Sequence, residues 1–336
     1  MRLVHLTDPH LTSLSEGQLP AIRGKRRLGY WSWKRKRQFR HRRELLQRIT
    51  TAVLEEQASQ ILISGDLAQI GLPEEIATAR QWLESLGPPE RVALVPGNHD
   101  YYRADSWSAL SDQWADYLGL DRSGSGTARR ARPAGHAADA KPVPGRQPCA
   151  GPLLAFPWQR RLDGPGGGIT VIGLCSAYPA PLLLADGRLG AAQLGRLDGL
   201  LSCAPGFRCL ILHHPPLPGM APWRKALRDA KQLRRLIVQH RPELVLHGHL
   251  HRNQEGPELA PTRIFATASA SSAAAKAAAS YRVFDIEPVP SGTSGQDTEE
   301  AWSVVMRLKG LTAGSQLRVL QESAWQVPVR RPASTP

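Results

Sequence analysis

Residues 91–100 read Arg-Val-Ala-Leu-Val-Pro-Gly-Asn-His-Asp, a short apolar run that stops at Pro96-Gly97 and then delivers an amide, an imidazole and a carboxylate in succession. A run of this length, closed by Pro and Gly, predicts a buried strand that ends in a turn. The same grammar recurs along the chain. Residues 3–7 precede Asp8-Pro9-His10, residues 60–64 precede Gly65-Asp66, residues 208–212 precede His213-His214-Pro215, and residues 243–246 precede His247-Gly248-His249-Leu250-His251. Residues 169–174 form one more apolar run, and 263–267, 281–286 and 302–308 read as late strands. Between them, helical spacings such as Leu45/Ile49/Val53 and Leu233/Leu236/Ile237 predict helices at 43–58, 72–86, 105–118, 191–202 and 224–240. Strands alternating with helices imply an α/β fold with helices outside the sheets, and the late strands imply an antiparallel or mixed second sheet. In such folds ligands gather beyond the carboxyl ends of strands, where every polar cluster falls.

The chain has 336 residues, enough for one large domain or two smaller ones, and its 41% hydrophobic and 21% charged content excludes a wholly disordered polymer. Residues 2–7 already read as a strand, so no secretory leader is expected before them, and no apolar stretch approaches the roughly 18 residues that span a bilayer. Cys149, Cys175, Cys203 and Cys209 lack CxxC spacing, which predicts reduced thiols and a reducing compartment. A single domain over 1–327 is expected. It carries a basic aromatic insertion at 22–43, a mobile Gly/Pro/Ala-rich insertion at 121–151, a hairpin loop at 287–299 and a frayed tail at 328–336. Residues 273–279 read as a helical turn or a flexible stretch.

Carboxylate oxygens and imidazole nitrogens together suit Mn, Fe or Zn, and seven or eight such groups exceed the needs of one ion. Two divalent metal ions are the expected cofactors. A strand puts residues i and i+2 on one face, so Asp8 with His10, and His249 with His251, converge if strand geometry persists past the strand end. Taken singly each cluster is weak: Asp-x-His is more often surface chemistry, Gly-Asp is usually a turn, and His5, His240 and His247 read as hydrogen-bonded core residues. The conjunction of five clusters at five strand ends, in one order, carries the argument.

With D-x-H, G-D, G-N-H-D, H and G-H-x-H all present over residues 1–286, the chain resembles the calcineurin-like metallophosphoesterase superfamily. The resemblance implies a four-layer α/β/β/α sandwich and a dinuclear centre. One metal would take Asp8, His10 and His251, the second Asn98, His213 and His249, and Asp66 would bridge both. His213 is preferred to His214 because the family's ligand often precedes Pro by two residues. His99 would contact the scissile phosphate or the leaving group as an imidazolium, with Asp100 orienting it. The implied reaction is hydrolysis of a phosphodiester or pyrophosphate by a metal-bridging hydroxide, with no protein nucleophile.

Net charge is +14, yet residues 23–48 hold twelve Lys/Arg and one acid, while the rest of the chain has 31 basic and 28 acidic residues. The segment reads as a solvated helix face, a membrane-surface anchor through Tyr30, Trp31 and Trp33, or a nucleic-acid patch. At 100° per residue the aromatics spread around the helix, and their clustering beside the charge favours an anionic membrane surface over nucleic acid. Two substrate classes follow from the resemblance: a cyclic nucleotide in the cytoplasm, or a lipid-linked nucleotide diphosphate of the UDP-diacylglucosamine type at the inner face of the membrane. A non-catalytic metal-binding scaffold is the alternative of a different class.

Overall fold

The computed structural model describes residues 1–11, 14, 22–120, 155–275, 277–289, 301–312 and 316–329. The expected insertion 121–151 lies outside these residues, as do 290–299 of the expected hairpin loop and 330–336 of the expected tail.

Two six-stranded sheets form the centre. In the first, β1 (Arg2–Leu6), β2 (Gln60–Ile63) and β3 (Val92–Leu94) run parallel. On the other side of β1, β10 (Ser280–Val289), β11 (Ala301–Leu311) and β12 (Leu317–Pro328) continue the sheet antiparallel. In the second, β5 (Ile169–Gly173), β6 (Phe207–Ile211), β7 (Leu244–His247) and β9 (Arg263–Ala266) are parallel, with β4 (Trp158–Leu162) and β8 (Gln254–Glu255) antiparallel at the edges.

Period-two patterning decides the layers. Along β6, Phe207, Cys209 and Ile211 enter the main core, which also holds Leu3, Leu46, Ile49 and Val53 and so reaches from the second sheet through the first to α2 (Arg43–Glu55) and α3 (Pro73–Leu86). Leu210 and Leu212 face the other way, onto Leu197 and Leu201 of α5 (Ala191–Cys203) and Leu233 and Ile237 of α6 (Ala230–His240). Helices, sheet, sheet, helices is the four-layer order that the family resemblance implies. Fully burying one such side chain stabilises by about 1.5–3 kcal/mol, so the apolar sandwich fixes the strand ends on which the polar loops stand.

Several elements depart from expectation. The stretch 224–240 opens with an isolated 3-10 turn at Trp223–Lys225 and becomes helical only at Ala230, while α4 ends early (Ser106–Gln113). Of residues 273–279, those described form turns and bends and no helix. Helix α1 (Lys25–Arg35) was not legible as an amphipathic stripe, because its inward face is Arg26, Gly29, Tyr30 and Trp33. That spacing is helical, but one member is charged and one has no side chain. Tyr30 and Trp33 join Ile22, Ile70, Leu72 and Tyr102 in a small core of their own. Gly29 is required there, since a Cβ would come within 2.6 Å of Ile70 Cγ2 and 2.7 Å of the Tyr102 hydroxyl. Arg26 enters the same contact with its guanidinium on Asp105 at 2.9 and 3.0 Å.

His5, His240 and His247 are buried, as expected of core histidines. The ring of His5 lies 2.8 Å from Thr267 Oγ1 and 2.9 Å from Ser64 Oγ. Burial pushes His5 down to about 3 and His247 to about 4. Both stay neutral in the fold while the unfolded chain takes up protons near pH 6.5, so the unfolded state binds more protons below that value and stability falls as pH drops. The melting temperature is expected to decline from about pH 6.5 downward. A melting temperature that is flat to pH 5 contradicts the neutral burial.

Candidate metal centre

The expectation that strand geometry persists past the strand ends does not hold. Asp8 (φ 50°), His10 (43°), Asp66 (58°), His249 (71°) and His251 (51°) all adopt left-handed backbone, which costs a residue with a Cβ about 1–3 kcal/mol. The chain therefore curls at each strand end, and it is the curl, not the pleat, that turns both members of each i, i+2 pair into one crevice. The curls brace each other: the Asp8 amide donates to Gly65 O at 2.9 Å, the His10 amide to Asp66 O at 3.1 Å and the Leu11 amide to Leu67 O at 2.8 Å. The loops after β2 and β3 touch back to back. A Cβ on Gly97 would strike the Asp66 carboxylate.

Asp100 does something other than orient His99. Its carboxylate accepts the amides of Asp66, Leu67, Ala68 and Gly97, each at 2.8 Å, and so clasps the loop after β2 to the loop after β3. Burial, with the nearby Asp66 charge, lifts it to about 7 against those four donors.

All seven expected ligands meet. Asp8, His10, Asp66 and His251 offer one donor atom each within a mutual 4.8 Å, and so do His213, His214 and His249. Asp66 Oδ2 lies between the groups, 3.3 Å from His213 Nε2 and 4.0 Å from His10 Nε2. Asn98 Oδ1 is 3.1 Å from His213 Nε2.

Three observations show that this donor set fits cations. His249 Nε2 is buried with no hydrogen-bond partner, and Asp8 Oδ1 meets only His251 Nε2, at 3.1 Å. Imidazole nitrogens confront each other at 3.1 Å (His213 with His249) and 3.4 Å (His10 with His251), a contact satisfied either by an N–H on one ring or by a cation shared between the two lone pairs. Burial opposes charge on His213, yet the Asp66 carboxylate raises it to about 9, so a proton occupies ground that the carboxylates hold for a cation. Oxygen and imidazole donors in this mixture match a borderline divalent ion.

His213 and His214 part company. His213 Nδ1 lies 2.7 Å from Ser64 O, which aims Nε2 at Asn98, Asp66 and His249. His214 Nδ1 is 2.8 Å from Ser176 Oγ, and its Nε2, also without a partner, faces the same crevice from behind His249.

The basic segment, expected as a solvated helix face or an anionic-surface patch, also reaches the centre. Arg37 Nη1 lies 2.9 and 3.1 Å from the two ring nitrogens of His99. His41 packs its ring 4.4 Å from that of His10 and shares a donor cluster with His10 and His251. Both were hidden in a run of charge whose only local signal was composition. His99 Nδ1 is 2.5 Å from Gln69 O and so carries the proton. Burial pushes the ring down to about 4 despite Asp66, and Arg37 adds to the fall, which favours the neutral imidazole over the expected imidazolium.

Of the aromatics expected at a membrane, Tyr30 and Trp33 are in the small core and only Trp31, 56% exposed beneath the Arg35 guanidinium, faces outward. Cys175 and Cys209 are buried, free and pushed up by burial, Cys175 to about 12, which makes them poor nucleophiles.

Residues 1–142 match the family described as calcineurin-like phosphoesterase. The chain is 28% identical over 196 residues to a probable cyclic nucleotide phosphodiesterase of Synechococcus sp., covering 57% of each protein. It is 27% identical over 254 residues to a cAMP/cGMP dual specificity phosphodiesterase of Mycobacterium tuberculosis, covering 74% of this chain and 61% of that protein. The match thus spans about three fifths of the length of these curated relatives. Among solved structures, a dimetal phosphatase from Danio rerio superposes with a TM-score of 0.59 at 13% identity, over 98% of this chain and 99% of its own. The anchor protein of the Plasmodium inner membrane complex gives 0.51 at 12%, over 99% and 90%. At such identities these two speak for the fold alone. The match to the calcineurin-like phosphoesterase family covers residues 1–142, which carry Asp8 to Asp100, and the remaining motifs fold onto the same crevice.

Proposed function

We propose that this chain is a metal-dependent phosphodiesterase whose substrate class is the cyclic nucleotide. The observation that carries the reading is the pair of buried donor groups sharing Asp66, a geometry suited to two ions and one phosphoryl group. In this reading Asp8, His10 and His251 hold one ion, Asn98, His213 and His249 the other, and Asp66 bridges. Two divalent cations, when bound, lower the pKa of a water and neutralise phosphoryl oxygens. The chain's own residues do the rest. Asp100 keeps the Asp66 and Asn98 loops in register through its four amide bonds. His99 has Nδ1 fixed on Gln69 O, and its Nε2 meets Arg37 Nη1 at 3.1 Å at the edge of the centre. The names of the two curated relatives favour a cyclic nucleotide among phosphodiesters. A purely scaffolding role leaves five strained ligand backbones with nothing to offset their cost.

A second reading, a lipid-linked nucleotide diphosphate cleaved at an anionic membrane surface, is favoured by exposed Leu28, Trp31 and Phe39 among the cations of residues 23–48. Among the described residues no helix is long and apolar enough to cross a membrane, so such contact would be peripheral.

Chelation is expected to abolish hydrolysis of bis(p-nitrophenyl) phosphate and of cyclic AMP, with recovery on adding Mn²⁺. Full turnover by protein shown to be metal-free by elemental analysis overturns the mechanism. Hydrolysis of the chromogenic diester without cyclic AMP or cyclic GMP, together with sedimentation on anionic vesicles, moves the substrate to the lipid reading.

A further inference from the structure

Arg37 enters the centre from a side that none of the ligand loops supplies. It opens the 3-10 turn Arg37–Phe39 that follows α1. Its Nη2 donates to Gly29 O at 2.8 Å, fixing the guanidinium to the helix. On the far side the segment is clamped to the loop that follows β9: the Arg42 amide donates to Ser271 O at 2.9 Å, the Ala273 amide to Arg40 O at 2.8 Å, and His41 Nδ1 lies 2.8 Å from Ser271 Oγ. Arg37 is therefore held in place and does not dangle.

Its partners do not satisfy it. His99 Nδ1 already bears the proton given to Gln69 O, so of the two ring nitrogens that Nη1 meets, only Nε2 has a lone pair. The remaining contact of Nη1 is Gln69 O at 3.4 Å, and the buried Nε has no acceptor. Among the described residues no carboxylate pairs with this cation. Arg26 and Arg208, which are more fully enclosed, each grip one, Asp105 and Glu243. Arg282, in the core away from the centre, directs its donors to Ala266 O and Met306 Sδ. A partly buried cation with no carboxylate partner is costly, and one that borders a phosphate-handling crevice has an obvious anion available. Arginine also presents a planar fork of donors that matches phosphate oxygens.

We propose that Arg37 is a catalytic residue of the inserted segment, which takes a non-bridging oxygen of the scissile phosphate beside His99. This rests on the phosphoester reading above. It makes the insertion part of the reaction centre.

The test uses the metal-loaded full chain and three readouts: metal content, affinity for inorganic phosphate by calorimetry, and kcat/KM on bis(p-nitrophenyl) phosphate. Arg37→Ala is expected to keep its metal and bind phosphate at least ten-fold more weakly. It should lose about 10²–10³-fold in kcat/KM, the range for removing one preorganised donor. Added guanidinium ion is expected to restore part of that rate, which a merely structural role would not permit. Arg37→Lys keeps the charge without the fork and is expected to fall between the two; it decides the matter if the alanine variant does not fold. Phosphate affinity and rate within two-fold of wild type, or loss of metal with the arginine, overturn the assignment. If the wild type binds phosphate but hydrolyses no ester, the phosphoester reading fails, while phosphate affinity of the variants still judges Arg37.

Discussion

Asp66→Ala is expected to empty both halves of the centre and to reduce hydrolysis by about 10²–10⁴-fold, because removing one partner from a buried charge cluster costs about 3–5 kcal/mol and each 1.36 kcal/mol is a factor of ten. The carboxylate has two tasks. Oδ2 faces His213 and His10, and Oδ1 accepts the His99 amide at 2.7 Å, which ties the Asn98 loop to the bridge. Asp66→Asn separates them, since its amide oxygen can still accept that bond while the charge is gone. Elemental analysis should find metal below two ions per chain in both variants, with the asparagine protein melting closer to wild type. Two ions per chain and a normal rate in either variant remove Asp66 from the bridging role.

His213→Ala and His214→Ala are expected to diverge. The first removes the nitrogen that meets Asn98, Asp66 and His249, and should leave about one ion per chain. Loss of an outer partner alone weakens a metal by about 10–100-fold, so loss of the ligand itself should exceed that range. The second removes a ring anchored on Ser176, and should keep two ions with a modest loss of stability. Because His214 Nε2 is buried, unpartnered and in the same donor cluster as His249, the opposite result would reassign the ligand directly. The two measurements need no substrate.

The parallel strands were legible because each one ends on the chemistry it positions. An apolar run is short when it is buried on both faces, and Asp, Asn or His directly after it has no packing reason to be there. The edge and outer strands were not legible. Residues 158–162 read Trp-Gln-Arg-Arg-Leu, whose two arginines suit an edge, and most of β12 is exposed and shows no regular alternation. Helix α1 hides its inward face behind an arginine that finds a carboxylate and a glycine that admits two neighbours. Arg37 and His41 sit among like residues, and only the fold shows that they turn inward while Lys34 and Arg35 remain outside. The seven candidate ligands are picked out by type and order, and the left-handed backbone of five of them is not, since Asp and His tolerate that region without requiring it.

Strand β1 sets a timetable for synthesis. It pairs on one edge with β2, residue 4 beside residue 61, and on the other with β10, residue 4 beside residue 283. The first ligands to leave the ribosome, Asp8 and His10, therefore hang from a strand whose second neighbour is made about 280 residues later. Until then one edge of β1 is an open template for any extended chain nearby. His249 and His251 emerge before β10 does, so a nascent chain can own every donor atom of the centre and still lack the strand that holds the first two in place. Metal encountered at that stage meets a loose set of ligands, and the cell gains by keeping the chain unmetallated until its last third has been made.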